Sequence, residues 1–141
     1  MVMQTAHILI VDDDEYIGLS GQILLEQHFS DVDCLQNPNQ LIRRLEAKQY
    51  DVVLLDMNFQ RGKTDGGEGL HYLAQVREHS PETSIIMITA FADVHVAVQA
   101  IKQGAMDFVT KPWQNEKLVA SVHAALQLSK SQQQLAQKDS Q

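Results

Sequence analysis

Residues 51–58 read Asp-Val-Val-Leu-Leu-Asp-Met-Asn (DVVLLDMN). Val52 to Leu55 is an unbroken apolar run, with no alternation between wet and dry positions. Such a run suits a strand covered on both faces, the usual state of a parallel strand between helices. It ends on Asp56, which sets a carboxylate at the carboxyl end of that strand. Four more short runs lie on either side: His7–Val11 (HILIV), Val32–Leu35, Ser84–Ile88 (SIIMI) and Met106–Val109.

Amphipathic stretches separate the runs. Tyr16 to Phe29 carries Ile17, Ile23, Leu24 and Leu25 on a broad stripe. Pro38 suits a first helical turn, followed by Leu41, Ile42 and Leu45. Gly69 to His79 aligns Leu70, Leu73 and Val76, and Ser80-Pro81 closes it. Val94, Ala97, Val98 and Ile101 precede Gly104, a natural helix stop. Leu118, Val119, Val122, Ala125 and Leu126 define a last helix. The pattern predicts an α/β fold: one doubly wound, five-stranded parallel sheet, a flavodoxin-like (βα)5 unit with strand order 2-1-3-4-5.

Composition is consistent with one soluble domain. The chain has 141 residues, 44% hydrophobic and 21% charged, enough for a single core. No apolar run approaches the length of about 20 residues that spans a bilayer, and residues 1–7 lack the pattern of a secretory signal. The single Cys34 cannot form an internal disulfide; it suits a small core residue and a reducing, cytoplasmic setting. Eighteen acidic residues against 11 basic give a net charge of −7. That balance repels nucleic-acid phosphates, so direct nucleic-acid binding by this segment is not expected.

In doubly wound sheets, chemistry gathers beyond the carboxyl ends of the strands. The residues there are Asp12, Asp13 and Asp14 after the first run, Asp56 after the third, Thr89 and Ala90 after the fourth, and Lys111-Pro112 after the fifth. Taken singly, each has an ordinary explanation: an Asp after a strand is more often a helix cap or turn residue, and Asp14 suits a cap. Their joint occurrence at four strand ends is harder to dismiss. Converging carboxylates repel one another unless a cation intervenes, and Mg²⁺ favours a few carboxylates with waters and phosphate oxygens. Asp56, on the central strand, is the expected nucleophile, with Thr89 and Lys111 placed to hold phosphoryl oxygens.

From His7 to Leu126 the chain resembles the receiver (CheY-like) domain of two-component response regulators. The resemblance rests on ILIVDDD (8–14), VVLLDMN (52–58), IIMITA (85–90) and GAMDFVTKP (104–112). It implies that Asp56 accepts a phosphoryl group. Asp13 would ligate Mg²⁺ directly with Asp12 assisting, and Asp56 and the Asn58 carbonyl would complete the ligand set. It further implies Thr89 as switch hydroxyl, Phe108 as switch aromatic, Lys111 as phosphate partner and a cis Lys111-Pro112 bond. Asn58 and Phe91 would tune dephosphorylation. The implied partners are a sensor histidine kinase, an output domain C-terminal to the receiver and a second copy of the chain, through the face of the fourth helix, fifth strand and fifth helix. The only catalysis implied is self-phosphorylation and self-dephosphorylation.

One segment departs from the common receiver pattern. Phe59 to Gly67 (FQRGKTDGG) is long, rich in glycine and free of proline. With ITAFADV (88–94) and the KPW-x-NEKL run (111–118), it is similar to receivers of NtrC-like regulators, which precede an ATPase domain and a DNA-binding domain. Residues 1–128 are therefore read as the receiver and 129–141 as a polar helix extension or linker to an output domain. Leu128 and Leu135 stand one heptad apart, thin evidence for a coiled coil.

Other signals are weaker. Gly62-Lys63-Thr64 lacks the upstream glycine of a P-loop, since Met57 occupies that position, and the six histidines show no zinc-ligand spacing. A haloacid-dehalogenase-like phosphatase would also use Asp12-x-Asp14, but Tyr16 stands where that family has Thr or Val, and no later acidic pair closes a metal site. A receiver-like interaction module that is never phosphorylated is the remaining alternative; the joint presence of Asp13, Asp56, Thr89 and Lys111 argues against it.

Overall fold

The computed structural model describes residues 3–57, 67–90 and 93–139. Its strands are β1 (Gln4–Val11), β2 (Phe29–Leu35), β3 (Val52–Asp56), β4 (Ser84–Ala90) and β5 (Asp107–Lys111), and its helices are α1 (Glu15–Glu26), α2 (Leu41–Ala47), α3 (Gly67–His79), α4 (Val94–Lys102) and α5 (Asn115–Asp139). A 3-10 turn at Pro38–Gln40 leads into α2. The strands form one sheet in the order β2-β1-β3-β4-β5, with every neighbouring pair parallel. This is the predicted flavodoxin-like arrangement.

The unbroken apolar runs follow from two packed faces. Leu9, Val11, Val53, Leu55, Ile85 and Met87 face one core, shared with Leu41 of α2, Leu73 and Val76 of α3 and Val96 and Ala100 of α4. The alternate residues, Ile8, Ile10, Val52, Leu54, Ile86 and Ile88, face a second core with Leu25 of α1 and Leu118, Val122 and Leu126 of α5. Each fully buried aliphatic side chain contributes about 1.5–3 kcal/mol relative to exposure, so both faces must stay covered.

Helix limits and faces differ from the sequence reading in four places, one of them the start of α3 at Gly67 where the sequence suggested Gly69. α1 stops at Glu26 instead of reaching Phe29, because the Gln27 and His28 N–H groups turn back to the Leu24 and Leu25 carbonyls. Phe29 then opens β2 opposite Gln4 and is buried. α1 presents Gly18, Gly21 and Leu25 to the sheet, which leaves Ile23 57% exposed. Among the described side chains of α4 the buried ones are Val96, Ala97 and Ala100, so Val98 and Ile101 face outward, while the Val94 side chain lies outside the described residues. In both helices several rotations of an apolar stripe fit the sequence, and small residues at the contact select one of them. Gly104 ends the α4 segment with φ +113, a left-handed conformation that glycine adopts without a Cβ penalty.

Gly69, in the first turn of α3, fits against the backbone just past Asp56. Its N–H donates to the Met57 carbonyl at 2.9 Å, and a Cβ there would meet the Met57 Cα and carbonyl oxygen at 2.6 Å. Backbone cannot yield as a side chain does, so Gly69→Ala is expected to push α3 from β3 and lower stability by about 1–3 kcal/mol. Urea unfolding followed by circular dichroism measures that loss.

Candidate functional site

β1, β3 and β5 end on the same rim of the sheet, and their last residues place the charged side chains. Three successive aspartates follow β1 and take three different positions. Asp14 caps α1, accepting hydrogen bonds from the Tyr16 N–H at 2.9 Å and the Ile17 N–H at 3.4 Å. Asp12 turns inward: its residue is 2% exposed, and its Oδ1 accepts the Asp14 N–H at 2.9 Å. Asp13 remains exposed at the rim. Asp56, the last residue of β3, is buried like Asp12.

Carboxylate oxygens of Asp12, Asp13 and Asp56 all lie within 4.8 Å of one another. Lys111, at the end of β5, reaches into this group. Its Nζ lies 3.1 Å from Asp12 Oδ2 and 3.2 Å from Asp56 Oδ1. The peptide bond that follows, Lys111–Pro112, is cis.

Burial and mutual repulsion shift the titrations here. Desolvation pushes the Asp13 carboxyl above its ordinary value and the Asp12 charge adds to that, while Lys111 opposes both. Burial by itself would pull the Lys111 ammonium down, but Asp56 and Asp12 together outweigh it and the net shift is upward. The raised Lys111 value means that its stabilising contribution is present below the unfolded lysine value of about 10.4 and is lost as pH rises past the folded one.

The donor set is carboxylate oxygen alone, with no thiolate or imidazole in the cluster. Hard oxygen donors at this spacing suit a divalent cation such as Mg²⁺ better than a soft metal. The three aspartates are therefore the residues that could hold one.

Thr89 follows Ile88, the β4 partner of Asp56, and Phe108 lies farther back on β5, three residues before Lys111. Thr89 is fully buried, and its hydroxyl donates to the Ala90 carbonyl at 3.3 Å. The register pairs Met87 with Phe108 and Thr89 with Thr110. Side chains alternate along a strand, so Thr89 and Phe108 share the face covered by α4. Phe108 is only partly buried and packs against that core from its edge. Asn58 and Phe91, assigned from sequence as ligand and tuning residues, lie outside the described residues, as does the loop 59–66.

Two direct contacts were not evident in the sequence. The Lys111–Asp12 pair joins residues 99 apart, a contact without a local signal. Gly69 could have been suspected, since a glycine in the opening turn of a helix often marks a close approach. Trp113, the one tryptophan, follows Pro112, and its ring lies 3.6 Å from where a Gly21 Cβ would sit. It thus packs on α1.

The chain matches the response regulator receiver domain over residues 8–123. It is 32% identical over 132 residues to the DNA-binding transcriptional regulator NtrC of Salmonella typhimurium, covering 94% of this chain and 27% of that protein. It is 35% identical over 121 residues to the nitrogen assimilation regulatory protein NtrX of Azorhizobium caulinodans, covering 85% of this chain and 26% of the relative. Among solved structures, an N-terminal signal receiver domain from Bacteroides fragilis superposes with a TM-score of 0.77 at 38% identity, covering 89% of this chain and 98% of that one. The receiver domain of NtrX from Brucella abortus gives a TM-score of 0.77 at 27% identity, covering 85% and 98%.

The chain belongs to the response regulator receiver domain family. Within it, the chain is a receiver of the NtrC and NtrX type. It spans about a quarter of the length of those two relatives. Among the described residues, no helix is long and apolar enough to cross a membrane.

The raised Asp13 value makes a prediction with a definite sign. An ionised Asp13 disfavours the metal-free fold, so Asp13→Asn should raise its thermal midpoint at pH 7 by about 1–3 °C, a modest shift because the group is exposed to solvent. The gain should shrink as pH falls and the wild-type carboxyl, whose titration is shifted upward, becomes protonated as well. Scanning calorimetry of both proteins in EDTA at several pH values measures it.

Proposed function

We propose that this receiver takes a phosphoryl group onto Asp56 in the presence of Mg²⁺ and passes the change to an output domain. The observation that carries the reading is the convergence of Asp12, Asp13 and Asp56 within 4.8 Å, with the Lys111 ammonium against Asp12 and Asp56. When bound, Mg²⁺ would supply positive charge that offsets the clustered carboxylates and the incoming phosphoryl oxygens. Asp12 and Asp13 would hold it, together with Asp56 and the Asn58 carbonyl.

The chain's own groups have separable parts. Asp56 Oδ attacks phosphorus and the donor's bond to phosphorus breaks, so the phosphoryl group moves to the carboxylate. Lys111 balances the charge that accumulates on the phosphoryl oxygens. The Thr89 hydroxyl, released from the Ala90 carbonyl, donates to one of those oxygens. Its movement leaves room on the α4 face for Phe108, which has no polar atom to strand in a buried position. By the resemblance to related receivers, Asn58 and Phe91 would tune the lifetime of the acyl phosphate.

The proposed donor is a phosphohistidine on a sensor kinase, with acetyl phosphate as a small substitute. Exposed Val98 and Ile101 on α4 support use of the α4, β5 and α5 face for output contacts and for pairing with a second copy. The NtrC relative is a DNA-binding transcriptional regulator, and transcriptional control is the proposed output here. Residues 1–128 would carry the switch.

Labelled acetyl phosphate with Mg²⁺ tests the reading. One phosphoryl group per chain should appear on the parent, none on Asp56→Asn, and EDTA should reduce labelling at least 100-fold. Lys111→Ala should bind Mg²⁺ yet label at least 10-fold more slowly. Equal labelling of parent and Asp56→Asn would sink the assignment, and an unlabelled parent would point to a binding-only module.

A further inference from the structure

α5 extends to Asp139, well beyond the residues that pack on the sheet's apolar face. A tail of serine, glutamine and lysine has little helical stability of its own in water. The start of this tail is nevertheless tied to the sheet. Ser129 is fully buried, and its hydroxyl donates to the Glu82 carbonyl at 2.7 Å. Gln133, one turn later on the same face, donates from Nε2 to Asp51 Oδ1 at 3.0 Å and to Ser129 Oγ at 3.3 Å. The other oxygen of Asp51 accepts the His7 N–H at 2.9 Å. Lys130 donates to the Thr5 carbonyl at 3.1 Å.

These partners sit at the amino ends of β1, β3 and β4, at the opposite end of the sheet from the acidic cluster. Asp51 is 8% exposed, so its carboxylate depends on the donors that surround it. One of those donors comes from β1 and one from the tail. Leu128 and Leu135 point away from the sheet, 40% and 60% exposed, so the anchoring face of the tail is the polar one.

We propose that residues 129–133 form a polar latch. Asp51 holds the outgoing helix to the base of the sheet, and α5 leaves the receiver as a rigid strut through Gln133 instead of hinging at Leu128. Whatever follows the helix then takes its orientation from the sheet, and the structural unit extends five residues past the boundary read from sequence. None of these contacts involves the acidic cluster, so the latch stands or falls independently of the phosphorylation chemistry.

Amide hydrogen exchange on the full chain, read by NMR, tests this with a compensating pair. In the parent, amides 130–133 should exchange at least 10-fold more slowly than 136–139. Gln133→Glu sets a carboxylate against Asp51 and should speed exchange of 130–133 at least 10-fold while leaving β1 and β3 unchanged. Adding Asp51→Asn should restore the slow rates, because the amide introduced at position 51 can donate to the carboxylate at 133 and still accept from His7. Leu135→Ala should have no effect. A parent without the step, a Gln133→Glu variant that exchanges like the parent, or a double variant as fast as the single one would each overturn the latch. So would a loss of protection that spreads through β1 and β3.

Discussion

The upper rim of this domain depends on how Lys111 meets two buried carboxylates. Asp12 and Asp56 arrive from neighbouring strands, β1 and β3, and are almost without solvent. Alone they would repel each other in a medium that screens charge poorly. The ammonium on β5, within 3.2 Å of both, offsets that repulsion across the intervening β4. Removing the cation would leave two charges buried and uncompensated, which is costlier than never having buried them. Asp13, exposed and raised in pKa, is the part of the cluster that a single lysine does not satisfy. This residual negative charge is what makes the rim receptive to a divalent cation.

Rigidity is unevenly distributed around that rim. β3 is buried along its whole length and runs between Asp51 at the base and Asp56 at the top. α5 is pinned by the large side chains Leu118, Val122 and Leu126 and then by Ser129 and Gln133. Among its described residues, α4 offers the sheet the smaller side chains Val96, Ala97 and Ala100. Less buried area means a lower local opening free energy. Thr89 and Phe108 lie on the face of the sheet that α4 covers. A local rearrangement of those two side chains thus has a face on which it can be expressed at modest energetic cost.

The two ends of the sheet are polar in different ways. Charges gather at the carboxyl ends, where Asp12, Asp13, Asp56 and Lys111 meet. At the amino ends the Asp51 carboxylate and the Glu82 carbonyl are met by a helix tail from the far end of the chain. Because β3 and α5 are both firmly packed, the position of that tail and the position of Asp56 belong to one rigid frame.

Much of this was legible in the residues alone. Five apolar runs separated by amphipathic segments determined a parallel sheet, because only strands covered on both faces need no alternation. The reading of Asp12, Asp13, Asp56, Thr89 and Lys111 as one group also followed from their places at strand ends, since a parallel topology sends all those ends to one rim. Tertiary structure decided what periodicity leaves open. It selected the faces of α1 and α4, exposing Ile23, Val98 and Ile101, because small residues at the helix–sheet contact allow closer packing than branched ones. It also set the Lys111–Asp12 and Gln133–Asp51 pairs, 99 and 82 residues apart. Such contacts exist only once the chain has closed on itself, and no local pattern in the sequence can encode the distance between them.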